Sequence, residues 1–205
     1  MNIFVESVSL DEIRQAVAAG LADGVVVSDA LYSGSSSVEG RELIEAVAHE
    51  FAIPICVDVA AISAEEMYQE ARELARISDH LVIQLPLVED AVEPMHRLSL
   101  EGVDICANFV FNGAQAVLAA KAGASMVRIP LHDLDAQGQT SSDAVTEIRA
   151  LLEASDCECD VMVASPTTST QFTECIAAGA QIVSVRPQVL NRFLSGLSRR
   201  HSSTH

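Results

Sequence analysis

Eight short strand-like runs recur along the chain, and each ends in a polar residue: IFVE at Glu6, VVVS at Ser28, ICVD at Asp58, LVIQ at Gln84, ICAN at Asn108, SMVR at Arg128, MVAS at Ser165 and IVSVR at Arg186. Segments of helical periodicity lie between them, and successive polar ends stand 20 to 37 positions apart. That spacing holds one strand, one helix and two short loops. Strands alternating with helices imply a parallel sheet with right-handed crossovers, and eight such units close a barrel. An open doubly wound sheet is the competing arrangement. In its commonest nucleotide-binding form it carries a GxGxxG turn after the first strand, and it gathers ligand residues near one switch point. Neither feature is present here, so the expected fold class is α/β, a (β/α)8 TIM barrel. Residues 1–198 are expected to form this one barrel domain, with 199–205 as a polar tail.

Helix-end signals agree with this division. SLDE at 9–12 and SAEE at 63–66 have the form of capping boxes, in which the Ser and the Glu satisfy free amides of the first turn. Gly20, Gly102, Gly123 and Gly179 stand a few residues ahead of the next strand, where left-handed C-caps are expected.

Inside such a barrel, residues at period two point inward and those at strand C-termini line the mouth, where active sites sit. With the eight polar ends facing in, the layer beneath them is expected to be Phe4, Val26, Cys56, Val82, Cys106, Met126, Val163 and Ser184. It is apolar or small, as a filled core requires. A hydrophobic fraction of 49% with only 4% aromatics and no Trp means that this core is built mainly from Ala, Val, Leu and Ile.

A net charge of −17 excludes sequence-independent binding to nucleic acid or anionic lipid, both of which need clustered Lys and Arg. No apolar run reaches the roughly 18 residues of a membrane span, and the first residues lack a basic segment followed by an apolar one. A cytoplasmic protein without membrane or nucleic-acid partners is expected. Cys56 and Cys106 read as buried thiols, whereas Cys157 and Cys159 in DCECD sit among acids that raise thiol pKa values, as in a structural loop.

The run NFVFNGAQAVLAAKAGASMVRIPLHDLDAQG at 108–138, with IFVES, LVIQLPL and VMVASPTTSTQ, resembles the transaldolase family, in particular its short fructose-6-phosphate aldolase branch. The resemblance spans roughly residues 1–190. It implies a (β/α)8 barrel and, in relatives, a Schiff base between a lysine and the keto group of a sugar phosphate. That lysine belongs to a fourth-strand motif of the form VKVP; here IQLP puts Gln84 in its place. The resemblance matches the family's first-strand acid to Glu6, its fifth-strand Thr to Asn108 and its seventh-strand Ser to Ser165. Its second-strand TTNP is replaced by VVSD, with Ser28 and Asp29. The phosphate-binding Arg after the sixth strand falls at Asp133.

Gln84 has no basic lone pair and serves neither as nucleophile nor as general base. Lys121, the one lysine of the chain, falls at the end of an outer helix. Glu6 or Asp58 as base, with Gln84, Asn108 and Arg128 polarising a carbonyl, would permit an enediolate-forming isomerase, epimerase or lyase without a cofactor. Arg128 and Arg186, with Ser28 and Ser165, would hold an anionic small-molecule substrate; the arginines could equally pair with Glu6 or Asp58. No metal is assigned, because no ligand spacing motif occurs and His132 is expected in a loop. The alternative is a catalytically inactive relative that binds a sugar phosphate or a partner protein. The resemblance also implies a homo-oligomer.

Overall fold

The recurring runs form eight strands: β1 (Asn2–Glu6), β2 (Gly24–Val27), β3 (Ile55–Asp58), β4 (Leu81–Pro86), β5 (Asp104–Asn108), β6 (Met126–Pro130), β7 (Asp160–Ala164) and β8 (Ile182–Val185). Around them lie α1 (Leu10–Ala18), α2 (Ser37–Glu50), α3 (Ala64–Ala75), α4 (Glu89–Leu100), α5 (Gly113–Lys121), α6 (Leu131–Ala136), α7 (Ser141–Ala154), α8 (Ser169–Ala177) and α9 (Pro187–Ser195). The structure, a computed structural model, describes residues 1–27, 37–136 and 140–195. Ser28, Asp29 and the tail at 199–205 lie outside the described residues.

The strands pair in chain order and close, with β8 returning parallel to β1 at Asn2↔Ile182 and Phe4↔Ser184. This is the (β/α)8 barrel expected from the eightfold recurrence. The widest spacing, from Arg128 to Ser165, is filled by two helices, α6 and α7, in one crossover. His132 therefore lies in α6 and not in a loop, with its side chain exposed. Among the described residues no helix is long and apolar enough to cross a membrane.

Two apolar layers hold the fold. The outer one joins strands to helices; the inner one is a ring of Phe4, Val26, Cys56, Val82, Cys106, Met126, Met162 and Ile182. Six members are those the period-two pattern predicts. On β7 the inward parity falls on Met162 instead of Val163, which packs outward against the helices. On β8 Ile182 fills the ring, and Ser184 stands one inward step nearer the mouth. The ring is an uncharged floor: burial pushes the Cys56 thiol up to about 12 and also raises Cys106.

Local chemistry fixes the ends of the helices. Ser9 accepts from the Glu12 amide at 3.4 Å, and Asn112, Thr140 and Thr168 cap α5, α7 and α8 in the same way. Ser63 differs from its expected capping role. Its hydroxyl donates to Glu66 Oε2 at 2.6 Å and makes no cap bond, because a carboxylate within reach is a stronger partner than a backbone amide. The four expected C-cap glycines all have positive φ, from 69° at Gly20 to 105° at Gly179.

Gly24 meets a different constraint. A Cβ there would lie 2.5 to 2.7 Å from the ring of Phe4, which is itself buried in the barrel floor. Gly24→Ala is therefore expected to cost about 1–3 kcal/mol by overpacking, measured by urea denaturation. Phe4→Leu in that background should recover part of the loss.

Candidate functional site

At the end of β1, Glu6 turns its carboxylate into the barrel and is only 4% exposed. Arg128 Nη2, from β6, donates to Oε1 at 3.0 Å. The Ser184 hydroxyl, from β8, donates to the same oxygen at 2.6 Å, and the Ser165 hydroxyl donates to Oε2 at 2.6 Å. Arg186 Nε lies 4.0 Å from Oε2, with its side chain 56% exposed. One carboxylate thus ties together β1, β6, β8 and the residue following β7, through the short charge-assisted bonds expected of such donors.

Ser165 reaches Glu6 by a local backbone device. It follows the last residue of β7 with φ of 56°, while its amide still donates to Ser184 O at 2.8 Å. The left-handed turn swings the side chain into the mouth although strict alternation would place it on the opposite face from Met162.

A second pair lies on the adjacent strands β3 and β4, where Asp58 and Gln84 are register partners. Gln84 Nε2 donates to Asp58 Oδ1 at 2.9 Å. Of the candidate residues Glu6, Asp58 and Asn108, only Asp58 is bonded to this amide. Gln84 Oε1 is buried with no hydrogen-bond partner among the described residues, and the same holds for Arg128 Nε. Between β4 and β6, Asn108 ends β5 and accepts from the Phe109 amide at 2.9 Å, so its oxygen stabilises the turn in which Phe109 takes φ of 61°.

The structure therefore brings Glu6, Arg128 and Ser165 into one cluster and Asp58 with Gln84 into another. It leaves Arg186 at the margin of the first. Ser28, the remaining candidate, lies outside the described residues. Arg128 forms an ion pair with Glu6. Lys121 is exposed in the last turn of α5, on the outer ring, and Asp133 is half-exposed on α6. A cavity of about 330 Å³ opens beside Glu6 and is lined by Ser7, Glu12, Arg186 and Gln188 among others. Ser7 and Gln188 both donate to Glu12 there, at 2.6 and 3.1 Å. Ser184 is the participant that strand-end polarity misses. The signal was present, since it is the lone hydroxyl at an inward position of IVSV.

A carboxylate and a guanidinium this deeply buried depend on each other. Removing the carboxylate leaves a largely buried guanidinium without its ion-pair partner, a loss of about 3–5 kcal/mol, whereas replacing both by apolar groups is often neutral. Glu6→Leu is expected to destabilise by that amount, and Arg128→Met added to it should restore most of the loss. A double-mutant cycle from chemical denaturation reads the coupling directly.

With this geometry in view, the comparisons with known proteins are specific. Residues 3–203 match the family described as Transaldolase/Fructose-6-phosphate aldolase. A "Probable transaldolase" of Petrotoga mobilis is 34% identical over 193 residues, 94% of this chain and 87% of that protein. One from Methanococcus maripaludis strain C7 is 31% identical over 198 residues, 95% of this chain and 90% of the relative. One from Rhodospirillum centenum is 33% identical over 199 residues, 95% and 84% of the two chains. Among solved structures, a cube-shaped, highly porous protein cage designed by fusing symmetric oligomeric domains superposes with a TM-score of 0.64 at 18% identity, over 90% of this chain. The chain spans 62% of that designed chain, and the likeness is one of fold alone. Match span and identity over nearly the whole length agree: the chain belongs to the transaldolase/fructose-6-phosphate aldolase family.

Proposed function

We propose that Gln84 stands where relatives of the short branch carry the imine-forming lysine, and that the protein acts on a small sugar-phosphate-like or carboxylated carbonyl substrate through an enediolate, without an imine. The observation that carries this reading is the Asp58–Gln84 pair at the barrel mouth, with the chain's one lysine exposed on the outer ring. Asp58 serves as the base. It takes the proton from the carbon beside the carbonyl, the C–H electron pair becomes the enediolate double bond, and the carbonyl oxygen takes up the negative charge. The Asn108 amide donates to that oxygen. Gln84 positions Asp58 through its own amide. Glu6, engaged by three donors, holds Arg128 in place and takes no proton. An anionic group on the substrate is met at the rim by Arg186, with Ser165 beside it. Return of the proton to the former carbonyl carbon, with the proton of the neighbouring hydroxyl passing to the other oxygen, gives an isomerase; in a lyase Asp58 instead takes the proton of the hydroxyl on the β carbon, the Cα–Cβ bond breaks to release an aldehyde, and the enediolate left behind is protonated at Cα.

A second reading, binding without turnover, is favoured by one feature: the carboxylate matching the family's first-strand acid is already filled by protein donors. Proton exchange separates the two readings. In D2O, a panel of ketose phosphates and hydroxy-keto acids should gain deuterium beside the carbonyl, followed by NMR. Asp58→Asn should slow the exchange by roughly 10²–10⁴-fold, the usual contribution of a general base. Borohydride added with the same compounds should leave no covalent adduct by mass spectrometry. An adduct at Lys121 would overturn the non-imine mechanism, and ligand stabilisation without exchange would select the binding reading.

A further inference from the structure

Two polar atoms at the base of the mouth are buried and unpartnered among the described residues: Gln84 Oε1 and Arg128 Nε. They differ from ordinary strand-end polarity in three respects. Gln84 as a whole is 1% exposed, and the Arg128 side chain 12%. Both side chains are anchored at their other ends, Gln84 by Nε2 on Asp58 and Arg128 by Nη2 on Glu6, so neither rotates to water without breaking a bond. Both also stand at the same depth. Gln84 is one inward step above Val82 and Arg128 one step above Met126, and those residues belong to a single apolar ring.

The two orphaned atoms ask for opposite things. An amide oxygen only accepts, and a guanidinium N–H only donates. A group that satisfies both must donate to one and accept from the other, which a hydroxyl does. A carboxylate or phosphate oxygen would serve Arg128 but would turn its lone pairs toward Gln84 Oε1. An ammonium would serve Gln84 and repel Arg128. Charge points the same way. The Arg128 guanidinium is already matched by Glu6, so an anion placed here brings a buried charge that this ion pair does not balance.

We infer that the floor of the mouth between β4 and β6 is a hydroxyl-selective subsite, in which a neutral ligand hydroxyl accepts from Arg128 Nε and donates to Gln84 Oε1. This rests on reading the mouth as a small-molecule site, and it assigns Gln84 a specificity role that no lysine could fill, because an ammonium offers no acceptor. Anionic groups of a ligand are confined to the rim, beside Arg186.

A pair of probes tests this: erythritol, a neutral polyol, and succinate, a four-carbon chain with carboxylates and no hydroxyl, each titrated by calorimetry. Gln84→Met, verified as folded by circular dichroism, should weaken erythritol by roughly tenfold, the equivalent of one lost hydrogen bond to a buried group, and leave any succinate binding unchanged. Succinate or inorganic phosphate weakened as much as erythritol by Gln84→Met would overturn the assignment. So would wild-type affinity for erythritol in Gln84→Met, or no binding of erythritol at all. The proton-exchange assay reports on the enediolate reading independently, so failure of the subsite and failure of that reading remain separate results.

Discussion

The mouth of this barrel depends on a carboxylate that has almost no water. Glu6 survives in that position because Arg128, Ser165 and Ser184 supply donors from three other parts of the barrel wall. None of those partners is near it in sequence, so the cluster forms only once the barrel has closed and β8 has paired with β1. The Ser184 hydrogen bond adds specificity to that closure: a barrel with β8 slipped by one residue would turn Ser184 outward and leave the acid under-bonded. The apolar ring beneath is indifferent to such detail, since most hydrophobic side chains of suitable volume would fill it.

The two walls of the mouth carry different chemistry. On the fourth strand Gln84 offers a neutral donor and a neutral acceptor, and its donor is spent on Asp58. On the sixth strand Arg128 brings a positive charge that Glu6 fixes in place.

Much of this was legible in the residues alone because strand alternation is a strict rule. Eight polar ends predict eight strands, and the closed order β1 to β8 follows. The places where the reading departs from the structure are those where backbone conformation breaks the alternation. Ser165 turns inward through a positive φ that no residue pattern announces, which moves Met162 into the floor and Val163 out of it. Ser184 was assigned one layer too deep because Arg186, taken as the strand end, lies one residue beyond β8. Side-chain pairing was less legible still. Whether Arg128 meets Glu6 or a ligand depends on distances across the barrel, and a one-dimensional pattern carries no information about those.

The division of the mouth into two walls has a stereochemical consequence. Asp58 and Gln84 project from β3 and β4, whereas Glu6, Arg128, Ser165 and Ser184 come from the arc that runs from β6 through β8 to β1. A flat molecule lying between them has its two faces told apart, one toward an acid and an amide, the other toward a neutralised ion pair and two hydroxyls. The barrel's eightfold backbone is nearly symmetric, yet its mouth is chiral on the scale of a single planar carbon centre.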